Sequence, residues 1–164
     1  MPTRKDIRLK DWDYSQNGAY FVTFCTQNRN CILSQFRRGD PCGRPVLTEI
    51  GKICDNTIKI IENQFNVQVT NYVIMPNHIH VLLLLENQAT ARVAPTVGSI
   101  IGGYKSLVAN DWLKICKAQN RCMGTIWQRG YYDNIVRDAN DYETRWHYIN
   151  GNPSNWQEDE YYNP

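Results

Sequence analysis

NVQVTNYVIMPNHIHVLLLLE, residues 66–86, decides how the chain is read. Asn66 to Met75 is dense in β-branched and aromatic residues and predicts a strand. Pro76-Asn77 turns the chain, and His78 to Glu86 predicts a second strand, so the two form a hairpin. Side chains alternate along a strand, which puts His78 and His80 on one face, about 6–7 Å apart at Cα, with Ile79 and Val81 on the other. Leu82 and Leu84 share the histidine face and make it a partly apolar floor.

Working outward, Tyr20 to Thr26 (YFVTFCT) predicts a first strand. Thr48 opens a stretch in which Ile50, Ile53, Ile58 and Ile61 recur at helical spacing, predicting a helix over about 48–63. Asn87 to Val97 is polar and contains proline, a loop. Gly98 to about Lys117 predicts a second helix, with Gly102-Gly103 as a weak spot. Residues 124–135 hold a short strand, and a last helix runs from Asp138 to about Gly151, with Pro153 ending it. This order predicts an α+β domain of ferredoxin-like plan, an antiparallel sheet with helices packed on one face. The domain spans 1–153. Residues 154–164 form an acidic C-terminal tail that reads as a disordered end, with folding back over a basic cleft as the alternative.

The chain has 164 residues, ordinary globular composition (42% hydrophobic, 21% charged) and a net charge of +2. Setting aside the tail's Glu158, Asp159 and Glu160 leaves +5 on the body, a bias that permits nucleic-acid binding without demanding it. The ten Tyr, five Trp and four Phe are rings that can fill a core or stack on bases. Membrane spanning is not expected, because the longest strongly apolar run, Val81 to Leu85, is strand-sized. The first residues, MPTRKDIRLKDWDY, lack a signal-peptide segment, so a cytoplasmic location is expected. The six cysteines contain no CxxC and read as free, mostly core thiols. There is no phosphate-binding glycine loop, hence no sign of nucleotide fuel.

A His-X-His pair is either two strand histidines near a turn or half of a divalent-metal site, which needs further donors. The third histidine, His147, lies in RWHYINGNP (Arg145 to Pro153). On a helix Tyr148 and Asn152 share a face and His147 points a quarter turn away. Spacing alone leaves Tyr148 and Asn152 open, as a phenol and an amide aimed at one ion or as a core ring and a helix end.

NYVIMPNHIHVLL (Asn71 to Leu83) resembles the HUH motif of single-tyrosine transposases, in which two histidines flank one hydrophobic residue. WQRGYYDNIVRD (Trp127 to Asp138) followed by HYINGNP (His147 to Pro153) resembles the tyrosine segment of the same group. The likeness is greatest to the REP-associated tyrosine transposase branch, with its Tyr–three residues–Asn–Pro pattern. YFVTFCTQNR (Tyr20 to Arg29) and SIIGGYKSLVAN (Ser99 to Asn110) fit in the same order. The resemblance implies His78 and His80 as metal ligands, Asn152 as a third, and Tyr148 as nucleophile. It implies an enzyme, a metal-dependent single-stranded DNA endonuclease and strand transferase acting through a 5′-phosphotyrosine. A non-catalytic hairpin DNA- or RNA-binding module is the alternative. Mg²⁺ is the implied ion, with Mn²⁺ able to substitute, and the implied partner is single-stranded DNA bearing an imperfect hairpin. Homodimer and monomer both fit. DNA contacts are expected from Arg4, Lys5 and Arg8 on a basic arm, from Lys105, and from Arg129, Tyr131 and Tyr132. The Cys42-containing loop and Ala91–Val97 look like local insertions, and Gly151 is expected to loosen the helix end beside Asn152.

Overall fold

The computed structural model describes residues 18–37, 43, 45–85 and 95–163. Arg4, Lys5, Arg8, the Cys42 loop and most of the 91–97 insertion lie outside the described residues. The described elements are β1 (Gly18–Cys25), β2 (Ser34–Gln35), β3 (Val46–Leu47), α1 (Glu49–Phe65), β4 (Gln68–Ile74), β5 (His78–Leu85), α2 (Val97–Ala118), β6 (Tyr132–Val136) and α3 (Ala139–Gly151). Four strands make one antiparallel sheet in the order β4-β5-β1-β6, and β2 pairs with β3 in a small separate ribbon. With α1 crossing from β1 to β4 and α2 from β5 to β6, this is the ferredoxin-like βαββαβ plan.

Alternation along the strands divides the sheet into two faces. Tyr20, Val22 and Phe24 of β1 and Ile79, Val81, Leu83 and Leu85 of β5 are buried with Ile50, Cys54, Ile58 and Ile61 of α1 and Ile100, Ile101, Tyr104 and Val108 of α2. This is the main core. Phe21 and Leu82 point the other way and are buried with Ile149 of α3, flanked by Val73, Val136 and Tyr142. The expected placement of helices on one face therefore holds for α1 and α2, whereas α3 lies across the opposite face. Apart from Ile149, α3 buries none of its side chains, and a stripe that thin gives little sequence signal for which face it covers.

Local chemistry sets the boundaries. The Thr48 side chain caps α1 by accepting from the Gly51 amide, and Asn66 closes it in the left-handed region at φ 50°. That cap is why β4 starts at Gln68 and not at Asn66. Thr96 and Ser99 form a reciprocal capping box at the start of α2. Gly102-Gly103 leaves α2 unbroken. A Cβ on Gly103 would stand 2.6 Å from Phe65 Cζ, so the small residue lets α1 and α2 close on each other. A β-bulge falls between Val69 and Asn71 on the β4 edge.

Gly51 has the least room of the described glycines, since a Cβ there would run into the Leu33 carbonyl oxygen, a backbone atom that cannot swing aside. Gly51→Ala is expected to cost about 1–3 kcal/mol or more, as overpacking does, read as a lowered midpoint of chemical denaturation.

The last segment differs from expectation. α3 does end at Gly151 before Pro153, as expected, but Pro153 then sits in the first turn of a 3-10 helix, Asn152–Glu158, where its missing N–H costs nothing. Gly151 keeps right-handed helical angles (φ −83°, ψ −16°), so the helix end beside Asn152 is not loosened. The tail expected to be disordered folds back against the sheet. Arg29 donates to the Glu160 carbonyl at 3.0 Å and Asn77 to the Tyr161 carbonyl at 2.7 Å, and the Tyr161 ring is buried. Trp156, Tyr161 and Tyr162 give the acidic tail the apolar area that a disordered end lacks.

Candidate metal and tyrosine site

β5 carries His78 and His80 onto the α3 face, where both are fully buried. Their Nε2 atoms stand 3.0 Å apart. Two neighbouring ligands at about 2.1 Å from an octahedral ion are separated by ~3 Å, so the pair already has the spacing of adjacent donors.

The opposite ring nitrogens are held from behind. The Asn77 amide donates to the Arg29 carbonyl at 3.2 Å and the Tyr161 carbonyl at 2.7 Å. Its Oδ1 is thereby turned to His78 Nδ1 at 2.9 Å, which must be the N–H donor. His78 thus presents a bare Nε2 lone pair. His80 Nδ1 meets the Thr23 hydroxyl at 2.7 Å. A hydroxyl either donates or accepts, so His80 has two tautomers available. In one, its Nε2–H bridges to His78. In the other, Nε2 is a second free donor atom.

Burial keeps both rings neutral. It pulls His78 down to about 3 from the usual 6.5, with Arg29 nearby adding to the effect. His80 is held well below its ordinary value by burial and by His78, with Asp159 acting in the opposite sense. Neutral imidazoles are the form that ligates metals.

α3 supplies the phenol. The Tyr148 ring centre lies 5.2 Å from that of His80 and 5.8 Å from that of Phe21, and the side chain remains 41% exposed. Burial, Asp159 and Glu160 push its pKa up to about 12, while Arg145 and the Asn152 amide act to lower it. His147 turns outward toward Glu143, as its spacing predicts. Asn152 is 4% exposed, and its Oδ1 is buried without a hydrogen-bond partner while its Nδ2 donates to Asp159 at 2.6 Å. An orphaned amide oxygen of this kind suits a cation. His78, His80 and Asp159 form a candidate metal-ligand group, with one donor atom of each within 4.8 Å of the others. Two imidazoles, an amide oxygen and a carboxylate fit a divalent ion of the Mg²⁺–Mn²⁺ type.

Other expected contacts are split by the sheet. Tyr132 pairs with Thr23, shares the histidine face and is exposed. Arg129 is exposed on the preceding loop. Tyr131 packs on the main core instead. The Lys105 ammonium donates to the Gln128 and Gly130 carbonyls at 3.0 and 2.6 Å, beneath the Phe24 and Trp127 rings. Burial pulls Lys105 down to about 8. Its half-buried ammonium props the 128–130 loop through these two carbonyls. Thr23, Asn77, Arg29 and Asp159 escaped sequence reasoning. Asn77 was legible from its place just before His78, but the other three act through long-range contacts.

A ferredoxin-like sheet with a His-X-His pair on one face and a helix-borne tyrosine over it has the make-up of the HUH single-tyrosine class. Residues 15–152 match the model of the IS200-like transposases, and the chain belongs to that family. An uncharacterized Haemophilus influenzae protein is 30% identical over 179 residues, spanning 97% of this chain and 93% of its own. Among solved structures, a REP-associated tyrosine transposase bound to a REP hairpin superposes with TM-score 0.61 and 17% identity, covering 90% of this chain and 73% of the other. A candidate transposase from Deinococcus radiodurans gives TM-score 0.54 and 15% identity, covering 85% of this chain and 95% of the other. These two likenesses concern the fold. Among the described residues, no helix is long and apolar enough to cross a membrane.

Proposed function

We propose that the protein is a metal-dependent single-stranded DNA endonuclease and strand transferase of the REP-associated type, acting on hairpin-bearing repeat DNA. The observation that carries this reading is the Tyr148 ring lying 5.2 Å from that of His80 within one chain. His78, His80 and Asn152 would hold a divalent ion, which would supply Lewis-acid polarisation of the scissile phosphate. Tyr148 Oη attacks phosphorus, the P–O3′ bond breaks, and the products are a 5′-phosphotyrosine and a free 3′-OH. Arg145 and the Asn152 amide favour the phenolate against the burial that opposes it. A second 3′-OH reverses the step and joins the strands without ATP.

The exposed Tyr148, Tyr132, Trp146 and Tyr162 rings offer stacking surfaces for unpaired bases. Arg129 and Tyr132, with the basic arm Arg4, Lys5 and Arg8, are assigned to DNA; Tyr131 packs on the main core, and Lys105 contributes by holding the 128–130 loop. The hairpin carried by the structurally similar REP-associated transposase supports that substrate class. The test is incubation with 5′- and 3′-labelled hairpin strands from repeats flanking the gene, with Mn²⁺ or Mg²⁺. A protease-resistant label on the 5′ end of the downstream fragment is expected. Hairpin binding without cleavage would instead support the non-catalytic module, and cleavage without adduct would point to a hydrolase.

A further inference from the structure

We propose that Asp159 is a ligand of the same divalent ion, which makes the C-terminal segment part of the metal centre. The proposal rests on the metal-site reading of His78 and His80 and adds a donor to it. Of the three tail acids, Glu158 and Glu160 are exposed, and only Asp159 turns inward to the imidazoles. Its oxygens are each half-engaged. One accepts the Tyr161 amide at 2.7 Å and the other the Asn152 amide at 2.6 Å, which leaves lone pairs on both.

Among the described residues no lysine or arginine ion-pairs with this carboxylate. Its position is fixed independently of any charge partner. The Tyr161 ring lies tilted 4.7 Å from that of His78 and its carbonyl accepts from Asn77, Arg29 holds Glu160, and Asn163 reaches back to the Arg29 carbonyl at 3.2 Å. A half-buried carboxylate delivered so firmly beside two imidazole nitrogens has the placement of a ligand.

The contact with Asn152 adds a second, independent observation. By accepting from Asn152 Nδ2, Asp159 fixes which end of that amide faces inward. The Asn152 Oδ1, 4% exposed as a residue and unpartnered, is the atom left to bond a cation. Asp159 and Asn152 thus form a unit in which the carboxylate both binds the ion and orients the neighbouring donor. Such a unit links ion binding to tail docking, since the ion ties Asp159 to β5.

The experiment titrates Mn²⁺ alone into the intact protein by calorimetry, for wild type, Asp159→Asn, His78→Ala and His80→Ala. In parallel, wild-type protein labelled with ¹³C at aspartate is examined by electron–nuclear double resonance of bound Mn²⁺. We expect Asp159→Asn to weaken Mn²⁺ at least ~10-fold, the histidine variants to weaken it further, and a carboxylate ¹³C coupling in the wild type. Unchanged affinity in Asp159→Asn with loss in the histidine variants would overturn the proposal and leave the metal site standing. Unchanged affinity in all three variants would bring down the metal-site reading itself. The ¹³C measurement needs no variant to fold, and absence of coupling in loaded wild type also overturns the proposal.

Discussion

Tyr148→Phe is expected to remove the covalent protein–DNA adduct entirely and to lower strand cleavage by at least ~10³-fold. The variant changes one atom. Phenylalanine keeps the ring against Phe21 and His80, and the hydroxyl it loses belongs to a half-exposed side chain, so stability and hairpin affinity should stay near wild type. A gel-shift with the hairpin strand and a thermal melt check these two expectations, and a labelled-DNA adduct assay checks the loss. The same residue predicts a pH profile. Burial and two acids hold the free phenol near 12, so cleavage should rise with pH through the neutral range as the phenolate fraction grows. Arg145→Gln removes a group that lowers this value and should slow cleavage at a given pH. An adduct that persists in Tyr148→Phe would assign the nucleophile elsewhere, with the exposed Tyr132 on the same face next to be tried.

The second large effect concerns the imidazoles. His78→Ala or His80→Ala should lower metal-dependent cleavage by at least ~10²-fold, and a chelator should do the same to wild type. The histidines also predict how the metal-free protein responds to acid. Both are buried neutral, with His78 near 3 against 6.5 when unfolded, so the unfolded chain binds more protons as pH falls below 6.5. Stability contributed by the neutral rings is therefore full above pH 6.5 and is lost as pH falls from 6.5 toward 3. Denaturant midpoints measured across that window should fall with pH in the wild type, and with a shallower slope in His78→Ala. Saturating Mn²⁺ should raise the midpoints in wild type and not in either histidine variant.

Much of this arrangement was legible in the residue order. The hairpin, the shared face of His78 and His80, the three helices and the pairing of Tyr148 with Asn152 follow from periods of two and of 3.6, which act over a few residues. The position of α3 did not follow, because Ile149 is the one residue it fully buries and its other rings, Tyr142, Trp146 and Tyr148, stay partly or largely exposed. The tail was misread for a related reason. Its place at a terminus argued for a free end, while the groups that fold it back act through partners far away in the chain, with Tyr161 meeting Asn77 and Arg29 meeting Glu160. For Lys105, only the fold reveals the two carbonyls that hold its ammonium.

Asn77 gathers a turn, an imidazole and the returning tail around one amide. Asn163 accordingly shares the Arg29 carbonyl with Asn77, whereas β1 enters the sheet at Gly18, paired with Leu85, at the end of the β1–β5 ladder away from His78. An affinity handle or fluorophore at the carboxyl end would compete for space with incoming DNA.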